Sequence, residues 1–263
     1  MTQLVLEQAQ RPIELTNRDK IRYDRQMRIT GFGIEGQRKL KNARVLVAGA
    51  GGLGCPIAIY LAVAGIGHIR IVDKETIELS NLNRQILHWD KDVNRLKTGS
   101  AEEKLRAINP DINVEALKTE ITESTVPSLA KDADIIVDGM DNFLTRFILN
   151  KAAVELGVPF IHGSIYGLEG RATTIIPGKT PCLQCIFPEA PPREVFPVIG
   201  VTPALIAVVE ATEVIKCITG IGRLLENRLL LYDGESLTFR EIPVFKDPRC
   251  PTCGTSQRGE KTT

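Results

Sequence analysis

The sequence predicts an α/β protein in which a mostly parallel sheet, covered by helices on both faces, is extended by antiparallel strands and preceded by short helices. Three observations carry this. The run ARVLVAG, a glycine turn, a helical stretch and a second apolar run, HIRIVD, make one βαβ unit. Further apolar runs, INVEAL and ADIIVDG, recur downstream, as strands buried on both faces do. After Gly163 the texture changes to RATTIIPG, NRLLLYDG and LTFREIPV, which read as antiparallel strands joining the same sheet.

Taken in order, residues 17–42 are charged, with apolar positions at wide spacing, and read as two short helices broken at Gly31-Phe32-Gly33. Strands over 43–49 and 68–73 flank a helix over 56–64. Strands over 112–117 and 133–139 follow, then a helix over 142–156 and a strand over 159–164. One strong helix, over 203–218, lies among the antiparallel strands. The stretch FPEAPPREVFP, 187–197, is too rich in proline for a regular element and reads as a long functional connection.

Lysine and arginine total 33 against 32 acids, a net charge of +1, so no global field draws the chain to nucleic acid or an anionic membrane. No apolar run reaches the ~20 residues of a membrane span, and the N-terminus lacks the basic-then-apolar order of a signal peptide, so a cytoplasmic protein is expected. Of six cysteines, four form two Cys-x-x-Cys pairs, Cys182 with Cys185 and Cys250 with Cys253, separated by 64 residues. Such pairs suit a clamp between distant segments, in which four thiolates close a structural tetrahedral Zn2+ site; disulfides or free thiols are the other reading. Cys55 and Cys217 sit in apolar surroundings and read as packing residues.

GAGGLG fits G-x-G-x-x-G between a strand and a helix, the Rossmann-like arrangement in which Gly49, Gly51, Gly52 and Gly54 let a diphosphate approach backbone amides at a helix N-terminus. Asp73, 24 residues beyond Gly49, is placed to accept hydrogen bonds from a ribose. A polar segment ending SNLNRQ then follows. Its Arg84, with Lys97 further on, supplies two cations beyond the ribose acid, which a triphosphate needs and a nicotinamide dinucleotide does not. Asn81 and Gln85 add neutral hydrogen bonds. In VDGMDN, at a strand-to-helix junction, Asp141 suits an Mg2+ ion bridging phosphates, while Asp141 or Asn142 fits a helix N-cap equally well.

Together, SNLNRQ, GAGGLG, VDGMDN and the cysteine pairs resemble the ubiquitin-activating-like adenylyltransferases of the MoeB/ThiF/HesA family, over about residues 19–254. The resemblance implies a single adenylation domain over 1–263. Residues 17–42 would be its N-terminal helical segment, 43–163 its nucleotide-binding half, 164–254 its carrier-binding half with the zinc site, and 255–263 a tail. It implies MgATP-dependent adenylation of the C-terminal glycine of a ubiquitin-like sulfur-carrier protein (MoaD/ThiS-like) ending in Gly-Gly, with release of pyrophosphate. Asp73 would hold the ribose; Asn81, Arg84, Gln85 and Lys97 the phosphates; Asp141 would be essential to adenylation, and Asp141 and Asn142 would both line the nucleotide site. Arg25, in RYDRQ, matches an arginine that family homodimers insert into the partner's ATP site.

A carboxylate nucleophile, pKa ~3.3–3.7, needs no general base at neutral pH, so catalysis reduces to positioning and to charge neutralisation by Arg25, Arg84 and Lys97. The chain departs from the family in two places. Phe196 stands where some relatives carry a loop cysteine, and Asn94 where relatives often have glycine. Sulfur is then expected from a separate protein, since no sulfurtransferase domain is recognised in the chain. Three rival readings are an enzyme adenylating a tRNA-borne carboxylate, a nicotinamide-dependent dehydrogenase and a non-catalytic partner subunit. Near-zero charge and the motif set disfavour the first; the second leaves Arg84, Asp141 and the cysteines without a joint purpose. The third is disfavoured because Arg84 and Asp141 are both present.

Overall fold

A computed structural model of the chain describes residues 13–190 and 197–254. The chain begins with α1 (Asn17–Arg22), α2 (Asp24–Met27) and α3 (Gly33–Asn42), three short helices where the sequence suggests two. Thr16 and Asp19 cap α1 reciprocally. The extra break falls at Tyr23, whose buried ring is held by a hydrogen bond donated from Asn109 Nδ2 to its hydroxyl at 2.8 Å. The glycine break behaves as expected, with Gly31 and Gly33 at φ +84° and +57°.

The alternation begins with β1 (Arg44–Ala48), α4 (Gly54–Ala64), β2 (His68–Val72), α5 (Lys97–Ile108), β3 (Asn113–Leu117), α6 (Val126–Leu129) and β4 (Ile135–Asp138). It continues with α7 (Phe143–Leu156), β5 (Phe160–Tyr166), β6 (Glu169–Ile175), α8 (Leu183–Ile186), α9 (Val201–Thr219), β7 (Arg228–Asp233) and β8 (Thr238–Pro243). All eight strands form one sheet, ordered β3-β2-β1-β4-β5-β6-β7-β8. Pairings through β5 are parallel and those beyond it antiparallel, as the sequence suggests.

Successive β1 side chains point to opposite faces and so divide the core. Val45 and Val47 pack with Ile57 and Leu61 of α4 and Ile206 and Val214 of α9. Leu46 and Ala48 pack with Leu149 of α7 and Leu183 of α8. Strand order reverses between β1 and β4, and the register Ala48↔Val72 and Ala48↔Asp138 brings the ends of β1, β2 and β4 level. A ligand crevice belongs outside those carboxyl ends.

Helix α5 has no counterpart in the sequence reading. Its buried positions include Lys97, Thr98, Ser100 and Lys104, with only Ala101 and Leu105 apolar, so the buried face carries no hydrophobic periodicity. The reading of 187–197 falls largely on 191–196, and with it Phe196; these lie outside the described residues, as does 255–263. Immediately after 191–196, Pro197 O accepts from the Gly167 amide at 2.8 Å.

Candidate functional site

The crevice is a cleft of about 610 Å³ at the carboxyl edge of β1, β2 and β4. Its floor is the glycine loop. A Cβ at Gly49, whose φ is +100°, would lie 2.6 Å from Gly139 O, and one at Gly54 would lie 1.9 Å from Gly49 O. Gly49 and Gly54 are therefore needed for the loop to close on itself and on the end of β4. Gly51 and Gly52 face the open cleft, while Gly54 lies behind it. Asp73 Oδ2 accepts from Ala50 N at 2.8 Å and Oδ1 from Glu75 N at 2.8 Å, so one carboxylate fixes both the loop and its own turn while lining the cleft.

The polar segment after Asp73 folds as short 3-10 turns. Asn81 is buried and does not line the cleft: its Oδ1 accepts from Glu78 N at 3.1 Å and its carbonyl from Arg84 N and Gln85 N, which builds the turn that presents those two residues. Arg84 donates from Nη1 to Ser80 O at 3.0 Å and to Asn83 Oδ1 at 2.9 Å, both neutral acceptors. Gln85 is buried, with no partner for Oε1 among the described residues. Asn94 holds φ +72°, a conformation asparagine adopts more readily than most side chains, so the asparagine stands in for a glycine without distorting the loop. That loop leads to Lys97 at the start of α5. Its side chain is 4% exposed and donates to Glu75 Oε2 at 2.6 Å.

Across the cleft, Asn142 is the N-cap of α7, its Oδ1 accepting from Thr145 N at 2.9 Å. This leaves Asp141 exposed at the rim, where among the described residues it accepts only from Asn142 Nδ2 at 3.3 Å. Arg146, one turn into α7, is buried and donates to Met140 O at 2.6 Å and Gly163 O at 3.2 Å, bracing the 138–141 turn. Arg146 and Glu75 are cleft residues that carry no sequence signal: one lies inside the apolar run FLTRFIL, the other is a surface-type acid. Arg25 lies outside the cleft on exposed α2, with no hydrogen bond or ion pair among the described residues.

The four paired cysteines converge on the far face of the sheet. Their sulfurs all lie within 4.8 Å of one another, with 3.6 Å from Cys182 to Cys250 and 3.4 Å from Cys185 to Cys253. These separations exclude a disulfide, which needs ~2.05 Å. They suit a tetrahedron of sulfurs at ~2.3 Å from a metal ion, whose edges would be ~3.8 Å. Burial pushes the Cys185 thiol up to about 11 and Cys182 up also. Burial pushes Cys250 up, but backbone donors from Cys253 and Thr252, with hydrogen bonds from Cys182 and Cys185, together hold it low. The Asp247 amide donates to Cys185 Sγ at 3.4 Å. Burial pushes Cys55 and Cys217 up to about 12, which keeps them as unreactive thiols.

A glycine loop, a ribose-spaced acid and buried cations at the switch point of an open sheet define a nucleotide-binding α/β protein. Within that class the chain belongs to the ThiF family, whose pattern matches residues 23–252. It is 42% identical to the SAMP-activating enzyme E1 of Haloferax volcanii, over 89% of this chain and 88% of that one. It is 40% identical to the sulfur carrier protein adenylyltransferase of Thermus thermophilus, over 91% and 92%. A further relative, 43% identical, is the probable adenylyltransferase/sulfurtransferase MoeZ of Mycobacterium tuberculosis, matched over 91% of this chain and 64% of that one. Among solved structures, Escherichia coli MccB superposes with a TM-score of 0.82 at 25% identity, covering 92% of this chain and 74% of that one.

Proposed function

We propose that this chain adenylates the C-terminal glycine of a ubiquitin-like sulfur-carrier protein ending in Gly-Gly, using ATP and releasing pyrophosphate. The observation that carries the reading is the convergence of Asp73, Arg84, Lys97 and Asp141 on one cleft. Alignment with a sulfur carrier protein adenylyltransferase over 92% of its length supports the choice of substrate.

In this reading the ribose hydroxyls donate to Asp73, whose oxygens keep acceptor capacity beside their two amide bonds. The triphosphate runs over the amides of Gly51 and Gly52 towards Arg84, Gln85 and Lys97. Arg84 leaves two neutral acceptors, and Lys97 exchanges Glu75 for phosphate oxygen. An oxygen of the carrier carboxylate bonds to the α-phosphorus as the bond to the β-bridging oxygen breaks, and pyrophosphate departs with that electron pair. Arg84 and Lys97 offset the charge that collects on it. Asp141, exposed and holding no cation among the described residues, would hold a magnesium ion bound with ATP, which would supply further charge neutralisation.

Arg25, without a partner among the described residues and outside its own cleft, fits a homodimer in which each subunit lends it to the other; exposed Ile21, Ile29 and Ile34 share its segment. The cysteine cluster suits zinc: four sulfur donors leave no open coordination position, so the ion would be structural. Its residues join α8 to 250–253 and take no part in the reaction. Sulfur is supplied by a separate protein. The test is exchange of labelled pyrophosphate into ATP with carrier and magnesium present. Exchange should occur with the wild type and be abolished in a folded Asp141→Ala variant; undiminished exchange in that variant would sink the assignment.

A further inference from the structure

Behind the glycine loop lies a row of buried polar groups to which the adenylation reading gives no part. His88, Asp92, Ser100 and Lys104 are each at most 4% exposed. Lys104 Nζ pairs with Asp92 and donates to Ser100 Oγ at 2.6 Å. Ser100 Oγ lies 3.0 Å from His88 Nδ1, and His88 Nε2 lies 3.0 Å from the carbonyl oxygen of Ala50. The row therefore ends on the second residue of GAGGLG.

The chemistry of the end groups fixes where every proton sits. The Ala50 carbonyl can only accept, so a bare Nε2 facing it at 3.0 Å would be repelled, and Nε2 must carry the hydrogen. In a neutral ring Nδ1 is then bare and accepts from the Ser100 hydroxyl. Ser100 is free to donate that proton because Lys104, which has only donors, approaches its lone pair. Protonating His88 would aim a second cationic donor at the same hydroxyl oxygen. Burial, with Lys104 and Lys97 nearby, also holds the imidazole below its ordinary value of 6.5, against the Ala50 hydrogen bond and Asp73. Cys55 Sγ, the remaining group at the ring, donates to Ala50 O at 3.2 Å.

We propose that His88, as the neutral Nε2–H tautomer, is a positioning residue for nucleotide binding: it holds the Ala50 carbonyl and so aims the amides of the glycine loop into the cleft. The proposal rests on the ATP reading above. The two peptide planes flanking Ala50 are each held, the Gly49–Ala50 plane through its N–H by Asp73 Oδ2 and the Ala50–Gly51 plane through its C=O by His88 Nε2, while the next two residues, Gly51 and Gly52, face the cleft. Losing the His88 bond lets the Ala50–Gly51 plane, which carries the Gly51 N–H, rotate. The amides that follow it then meet a phosphate at the wrong angle, which costs nucleotide affinity and leaves the carrier's own site intact.

Two measurements test this. In wild-type protein labelled with nitrogen-15 histidine, the His88 resonance, assigned by its absence in His88→Gln, should report the neutral Nε2–H tautomer and keep it as pH falls through 6.5. An Nδ1–H tautomer, or a charged ring at neutral pH, overturns the proposal whatever the variants do. Second, His88→Leu removes the donor, whereas His88→Gln keeps an amide N–H at similar reach. His88→Leu should raise the KM and Kd for ATP roughly 3- to 10-fold, with kcat and the KM for carrier little changed, and His88→Gln should recover most of that loss. Equal ATP binding by wild type and His88→Leu, or equal loss in both variants, overturns this proposal alone. Absence of ATP binding by the wild type overturns the adenylation reading with it.

Discussion

Lys97 meets Glu75 at 2.6 Å with its ammonium buried and the glutamate 58% exposed, so the pair forms at the cleft wall before any nucleotide arrives. ATP binding is then an exchange of one anion for another. Removing the glutamate charge leaves Lys97 buried without a counter-ion, which should cost the free protein about 1–3 kcal/mol. ATP should consequently raise Tm more in Glu75→Gln than in the wild type, as read by thermal unfolding with and without nucleotide; an equal or smaller increment would show that the pair is not what ATP displaces. Glu210 on α9 behaves in the opposite way. It is fully buried against Gly163, neither oxygen has a hydrogen-bond partner among the described residues, and burial followed by the nearby Asp138 charge holds its carboxyl well above the usual range. A group raised in this way contributes stability below its unfolded value of 4.5, and that contribution is lost as pH rises towards the folded value. Glu210→Gln, which cannot ionise, should therefore be more stable than the wild type at neutral pH, and the difference should vanish in acid. Unfolding in urea at several pH values gives the comparison.

Elements differ in how openly the sequence announces them. β1 and β4 are mostly apolar runs buried on both faces, β2 alternates polar and apolar residues, and these patterns are enough to place them. The glycine loop is legible because Gly49 and Gly54 answer a steric need that no other residue meets. Helix α5 is hidden, because the face it buries carries Lys97, Ser100 and Lys104, which meet Glu75, His88 and Asp92 from outside the helix. Arg146 is hidden for the same reason: it looks like an interruption of an apolar helix until Met140 and Gly163 offer their carbonyls. In sequence Asp141 and Asn142 fit the cap equally well, and the Thr145 amide distinguishes them. Asn81 was legible as important but not in kind, since it shapes the turn from within. Where one element depends on another across the sequence, a variant separates them. Cys250→Ser breaks the link between α8 and the 250–253 segment, and should lower Tm and zinc content while leaving the ATP affinity of the folded fraction nearly unchanged. Protein prepared under reducing conditions that contains no metal would refute the zinc reading.

For the whole molecule, the active unit should be larger than one chain. Arg25→Ala and Asp141→Ala subunits should each be inactive alone, yet mixing them creates dimers in which one of the two clefts has its own Asp141 and the partner's Arg25 intact. Partial recovery of pyrophosphate exchange on mixing is the expected outcome, and chains that work singly would show none.

The cysteine cluster has a topological consequence for the same molecule. Between Cys185 and Cys250 the chain passes to the opposite face as α9, returns through β7 and β8 at the far edge, and comes back to where it left. With a metal ion joining the sulfurs, as proposed, that stretch would be a closed hoop that includes β7 and β8. The entropy such a hoop withholds from the loosened chain grows only slowly with its length. Chelation should therefore free one side of the sheet first: amide exchange in β7 and β8 should quicken while β1, β2 and β4, outside the hoop, keep their protection and the nucleotide crevice keeps its shape.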